Sequence, residues 1–130
     1  LETSGPLVLA RTPAACDGLV AAFAGRQVEK EYLALVRGAA PARGEVATPV
    51  AGKDALTRFE RREQGRGASL VAAWPVTGRT HQVRVHLASI GHPLLGDARH
   101  GDPAKDPVRA PRVALHCRRL AFTHPVTGAP

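Results

Sequence analysis

Residues 69–90 constrain this chain more than any other stretch. A strand-like run, Ser69 to Trp74, delivers the backbone into Pro75, and the Thr77-Gly78 pair turns it into a helix-like run, Thr80 to Ile90. Val83, Leu87 and Ile90 fall at i, i+4 and i+7, a stripe suited to lying on a sheet. Thr80 is the expected N-cap, its hydroxyl placed to accept an amide hydrogen of the first turn. His81 and Arg84 share another face of the expected helix, and Ala88 one turn beyond Arg84 leaves room beside it. Helical arginines are usually solvated. Here, however, Thr77, Arg79, Thr80, His81, Gln82 and Arg84 crowd into eight residues of an otherwise apolar strand-turn-helix. Packing alone needs no such density. A helix start also favours negative charge, so the stretch reads as a place for an anion or a base.

The flanking chain supplies a sheet for that helix. Leu7 to Ala10 reads as a short apolar strand. Thr12-Pro13 reads as N-cap and first-turn proline of a helix through Ala24, with Cys16, Leu19, Val20 and Phe23 as its buried stripe and Gly25 closing it. Val28 to Val36 is a strand, with Lys30, Tyr32, Ala34 and Val36 on one face and Leu33 and Leu35 on the other; apolar on both faces, it is expected to be central. Gly38 to Gly52 is a loop or short hairpin excursion. Asp54 to Glu63 alternates as a half-exposed strand, and Gly65-Arg66-Gly67 turns it back into Ser69 to Trp74 as a meander. Gly91-His92-Pro93 stops the helix, residues 100–111 lack periodicity, and Val113 to Phe122 is a last strand before a turn at residues 124–128. The expected class is α+β, a mixed, largely antiparallel sheet with flanking helices.

Chemistry is narrowed by what is missing. The charge of +7 and pI of about 10.7 point to a polyanion, RNA or DNA before others, with Arg26, Lys30, Arg79 and Arg119 available for phosphates. Cys16 and Cys117 are isolated thiols, which suits a reducing cytoplasm and indicates neither a disulfide framework nor a zinc site. His81 and His86 are about 140° apart on a helix, so they share no ligand face. No metal is expected, and no phosphate-loop, dinucleotide or nucleophile-elbow pattern calls for a cofactor. No run is long enough to span a membrane, and nothing calls for an obligate protein partner. From the residues alone, the reading stops at a nucleic-acid-binding domain with cofactor-free chemistry on a base.

Five stretches carry a resemblance. They are residues 1–5 (Leu-Glu-Thr-Ser-Gly), residues 29–36 around Tyr32, residues 77–86 (Thr-Gly-Arg-Thr-His-Gln-Val-Arg-Val-His), residues 91–97 ending in Gly96-Asp97, and Leu115-His116 with the turn at residues 124–128. In order and spacing they resemble the signatures of RluA-type RNA pseudouridine synthases and cover nearly the whole chain. The resemblance implies that residues 1–130 are part of a catalytic domain that isomerises selected uridines of ribosomal or transfer RNA, the base being flipped into a pocket. It implies that Tyr32 lies against the target uracil as a proposed base, and that Arg84 ion-pairs with a catalytic aspartate and keeps it ionised. Arg79, Thr80, His81 and Gln82 would line the RNA side, and Leu115 would wall the pocket. His100 stands where that family usually has an aromatic residue.

By the same resemblance, the aspartate belongs to a His-Arg-Leu-Asp run whose last residue would immediately precede Leu1. Asp17, Asp54, Asp97, Asp102 and Asp106 match no nucleophile position. The expectation is therefore a synthase core that is inactive as this chain alone. The alternative is a non-catalytic RNA-binding module of the same fold, which another residue ahead of Leu1 would favour. A metal enzyme using the histidines is a third and weaker reading.

Overall fold

The computed structural model describes residues 3–129. Five strands form one sheet in the order β2-β3-β4-β1-β5: β1 Glu29–Arg37, β2 Arg43–Val46, β3 Thr57–Gln64, β4 Ala68–Pro75 and β5 Leu115–Ala121. Every neighbouring pair of these strands is antiparallel. Helix α1 (Pro13–Ala24) precedes the sheet, α2 (Gln82–Ser89) follows β4, and a single 3-10 turn spans Pro103–Lys105. The α+β reading is thus borne out. The excursion at residues 38–52 contains β2, and the central strand is β4, with β1 beside it.

The alternation read from the sequence sets the core. Ala34 and Val36 of β1 pair across to Val71 and Ser69 of β4, and all four are essentially buried. Phe59, Val83, Leu87, Leu94, Val113 and Leu115 close the same cluster, with Tyr32 packed at its edge. Fully burying a side chain such as Leu87 contributes about 1.5–3 kcal/mol, so the Val83 and Leu87 stripe fastens α2 to the sheet. Ile90, the third residue of the expected stripe, is the helix C-cap and is 37% exposed. Leu33 and Leu35 lie on the sheet's other face, where Leu35 is exposed and Leu33 half-buried.

Three expectations fail at the ends of elements. Residues 7–10 form no strand; Leu7 and Leu9 are 81% and 77% exposed. Instead Ser4 is held beside β5, accepting from the Cys117 amide at 2.8 Å and donating its own amide to Leu115 at 3.3 Å. Helix α1 has its Thr12 cap, which accepts from the Ala15 amide at 3.1 Å, but its stripe is not buried. Cys16, Val20 and Phe23 are exposed, Leu19 is half-buried, and only Ala22 of the helix is buried. Periodicity gives the direction of an apolar face and cannot supply the surface that covers it. Gly25 is the C-cap without a left-handed backbone; Arg26 carries the positive φ of 58°.

Helix α2 is the third. Its N-cap is His81, in the left-handed region at φ 55° and ψ 25°, with no side-chain capping bond. Histidine is among the non-glycine residues enriched there. The turn is organised from inside the helix by Gln82. Its Oε1 accepts from the Arg79 amide at 3.1 Å and from the Thr77 hydroxyl. Its Nε2 donates to the Leu56 carbonyl at 2.8 Å and to Thr57 Oγ1 at 2.9 Å. One buried carboxamide therefore ties the turn to β3 and removes any need for Thr80 as a cap.

Candidate active site

The ends of β1 and β4, the start of α2 and the start of β5 enclose a cleft of about 240 Å³. Its walls include Thr3, Lys30, Tyr32, Thr77, Arg79, His81, Arg84 and Leu115. A ring the size of benzene fits a cavity of about 150 Å³, so a single pyrimidine can be accommodated. Lys30 and Tyr32 reach it because they alternate along β1. Beside them the β1–β5 register shifts between Glu31 and Tyr32, the kind of bulge that re-aims side chains beside functional sites.

Arg84 is anchored from below. Its Nε donates to Asp97 Oδ2 at 2.9 Å and its Nη2 to Asp97 Oδ1 at 2.7 Å. Arginine and aspartate are both buried. Asp97 Oδ1 also accepts the amides of Arg99 and His100 at 3.2 and 3.1 Å. Burial by itself would raise this carboxyl's pKa. The Arg84 hydrogen bonds, the His100 amide and the nearby positive charge outweigh it and hold Asp97 below the ordinary carboxylate value. A buried carboxylate engaged at both oxygens is no nucleophile; it is a positioning group. Gly96 sets it in place, with φ 76° and so little room that an added Cβ would stand 2.3 Å from the Arg112 carbonyl oxygen.

Among the described residues Arg84 also pairs with Asp97, a residue the sequence excluded as nucleophile and otherwise left without a role. The Gly96-Asp97 motif carried the signal, but its distance of 13 residues from Arg84 hid the contact. Gln82 also lines the cleft, with its oxygen and both amide hydrogens engaged within the fold. Thr80 is exposed and is not among the cleft's walls. Arg79, His81, Arg84, Tyr32 and Leu115 do come together. Arg79 is steadied by its Nε bond to the Asp54 carbonyl at 2.8 Å.

The electrostatics divide the walls. Burial, then the neighbouring Cys117 thiol, raises the Tyr32 phenol, so its neutral form is favoured near neutrality. Burial, followed by the charges of Arg84 and Arg99, lowers His81. His81 Nδ1 lies 3.3 Å from His100 Nε2, the rings edge to face. His86 is structural: Nδ1 and Nε2 lie 2.7 Å from Thr57 Oγ1 and from the Thr48 carbonyl. Burial likewise lowers the Lys30 ammonium. Among the described residues no three metal-binding side chains cluster, and no helix is long and apolar enough to cross a membrane.

The antiparallel sheet with a cationic, tyrosine-walled cleft at one end defines an α+β domain with a candidate site. Its relatives narrow that class. The RNA pseudouridylate synthase family matches residues 1–89, and the chain belongs to that family. It is 38% identical to ribosomal large subunit pseudouridine synthase D of Zymomonas mobilis, covering 98% of this chain and 47% of that protein. Against synthase D of Nitrosomonas europaea the identity is 40%, covering 98% and 43%. Synthase C of Vibrio vulnificus is also 40% identical, covering 99% and 47%. These relatives bear out the RluA-type resemblance. The structure of human RNA pseudouridylate synthase domain containing 1 superposes with a TM-score of 0.75 at 31% identity, covering 85% of this chain and 56% of that one. The chain spans a little under half the length of the curated relatives it matches.

Proposed function

We propose that residues 1–130 are part of the catalytic domain of an isomerase that converts uridines of ribosomal RNA to pseudouridine in the cytoplasm, without metal or organic cofactor. The observation that carries the proposal is the convergence of Tyr32, Arg84 and Leu115 on one pyrimidine-sized cleft, although they come from β1, α2 and β5. In this reading the flipped uracil lies against Tyr32, and Leu115 walls the far side. Arg79 and His81 face the RNA at the rim. An aspartate immediately ahead of Leu1 is the attacking group. Thr3 lines the cleft and Ser4 is held on β5, so the first described residues of the chain lie at the cleft wall. Arg84, stiffened by Asp97, supplies the positive charge that keeps a carboxylate ionised there. The neutral Tyr32 phenol acts by contact, and a base role would require it to lose its proton first.

The test compares the 130-residue chain with one extended through the preceding four codons, each incubated with ribosomal RNA and assayed for pseudouridine. Turnover is expected only where the added residues end in aspartate. Pseudouridine formed by the shorter chain would overturn the assignment of the nucleophile. An aspartate-bearing chain that binds RNA without turnover would favour the non-catalytic module.

A further inference from the structure

Lys30, read from the sequence as a phosphate contact, stands on the wall of the cleft. Its side chain shares a face of β1 with Tyr32, and its Nζ makes one long bond, 3.5 Å to the Thr77 carbonyl. Among the described residues no carboxylate lies within ion-pair distance. The two acids flanking it are engaged elsewhere: Glu31 holds Trp74 Nε1 and Arg118, and Glu29 holds Arg119. Gly78 lies beside it, where an added Cβ would stand 3.4 Å from the Lys30 nitrogen. The chain thus presents a half-buried cation to the cleft with donor capacity unused. Partial desolvation without a counter-charge is costly, and burial does lower this ammonium below the ordinary lysine value.

We infer that Lys30 is a catalytic residue that holds the negative charge released onto the uracil ring when its glycosidic bond breaks. The inference rests on the proposed isomerisation. In that reaction the aspartate carboxylate bonds to C1′ as the N1–C1′ bond breaks with its electron pair staying on the ring, spread over N1, O2 and O4. The C5–C1′ bond then forms as the carboxylate leaves C1′, the C5 proton is lost to solvent, and N1 gains a proton from solvent. Nothing is oxidised or reduced. Charge on the ring exists only between the two bonds, so a cation beside a ring oxygen stabilises the transition state more than the bound substrate. A phosphate contact would be expected at the rim beside Arg79. Lys30 is half-buried on the cleft wall, two residues along the strand from Tyr32.

The experiment uses the full-length protein carrying the aspartate, with Lys30→Met, Lys30→Gln and Lys30→Arg, measured by single-turnover rate at saturating enzyme and by RNA affinity at several salt concentrations. Removing one preorganised donor to a developing anion costs about 10²–10³ in rate, and that loss is expected for Met and Gln. Affinity is expected to stay within about twofold, the salt slope to be unchanged, and Arg to restore part of the rate. Thermal unfolding identifies a variant that has lost its fold, and the remaining two then decide. An unchanged saturated rate with weaker binding and a shallower salt slope would make Lys30 a phosphate contact and overturn the inference. No change in either quantity would overturn it as well. An unsubstituted protein that makes no pseudouridine would instead overturn the proposed function, and this inference with it.

Discussion

The two sides of the sheet's cleft end are built by opposite means. Around α2, polar groups are buried and fully engaged: Gln82, Thr77, His86, Arg84 and Asp97 are all inside, and their hydrogen bonds cross from helix to strand to loop. Around α1, apolar groups are outside. Leu7, Leu9, Val20 and Phe23 are exposed, and between α1 and β5 runs a second, mostly apolar cleft of about 830 Å³. Lys30 and Tyr32 wall both. Geometry is therefore rigid on the α2 side of these residues and weakly enforced on the other. A site that must hold a base at a fixed angle needs the first kind of wall.

The sharpest way to break this contrast is Asp97→Ala. Removing one partner of a buried, bidentate pair costs about 3–5 kcal/mol, read as a lower denaturation midpoint. The same carboxylate makes the contrast depend on pH. Its folded-state pKa lies below its unfolded one, so its contribution is complete above about pH 4 and is lost as pH falls through the folded value. Unfolding measured between neutrality and pH 2 should show a steeper acid loss in the unsubstituted protein than in Asp97→Ala. Parallel curves would mean that Asp97 is not the carboxylate that matters.

Gln82→Ala comes next. It leaves buried partners on Thr77, Leu56 and Thr57 without their bonds, at about 1–3 kcal/mol for an unsatisfied group. Stability should fall, while RNA affinity in refolded protein changes little. A selective loss of affinity at unchanged stability would return Gln82 to the RNA side, where the sequence had placed it. Smallest of all, Phe23→Ser on the exposed face of α1 should shift stability by no more than about 0.5 kcal/mol. A loss comparable to Asp97→Ala would show that this face is covered in the folded protein.

The sequence carried the sheet well because its signal there is local. The alternation of Ala55, Thr57 and Phe59 against Leu56, Arg58 and Glu60 set the inner face of β3, and Gly65-Arg66-Gly67 set the hairpin. It misplaced the α2 cap because the stabilising group, the Gln82 carboxamide, reaches out of the helix to Leu56 and Thr57, a contact that spacing does not encode. It read the α1 stripe as buried because an apolar face looks the same with or without a partner. At the site, Tyr32, Arg79, His81, Arg84 and Leu115 were legible as a group through family resemblance. The Arg84–Asp97 anchor and the position of Lys30 needed three dimensions: one is joined across a loop, the other is a cation that no carboxylate among the described residues reaches.

The strand order has a consequence for how the chain is made. Strand β1 is complete at Arg37, yet both of its neighbours come later, β4 ending at Pro75 and β5 at Ala121. On a ribosome adding roughly 5–20 residues per second, the 84 residues between Arg37 and Ala121 take about 4–17 s. Throughout that time the strand bearing Lys30 and Tyr32 has at least one unpaired edge. Such an edge is a template for pairing with other chains, so the nascent protein should depend on chaperones more than its finished sheet would suggest, and a pause in translation before β5 should aggregate it.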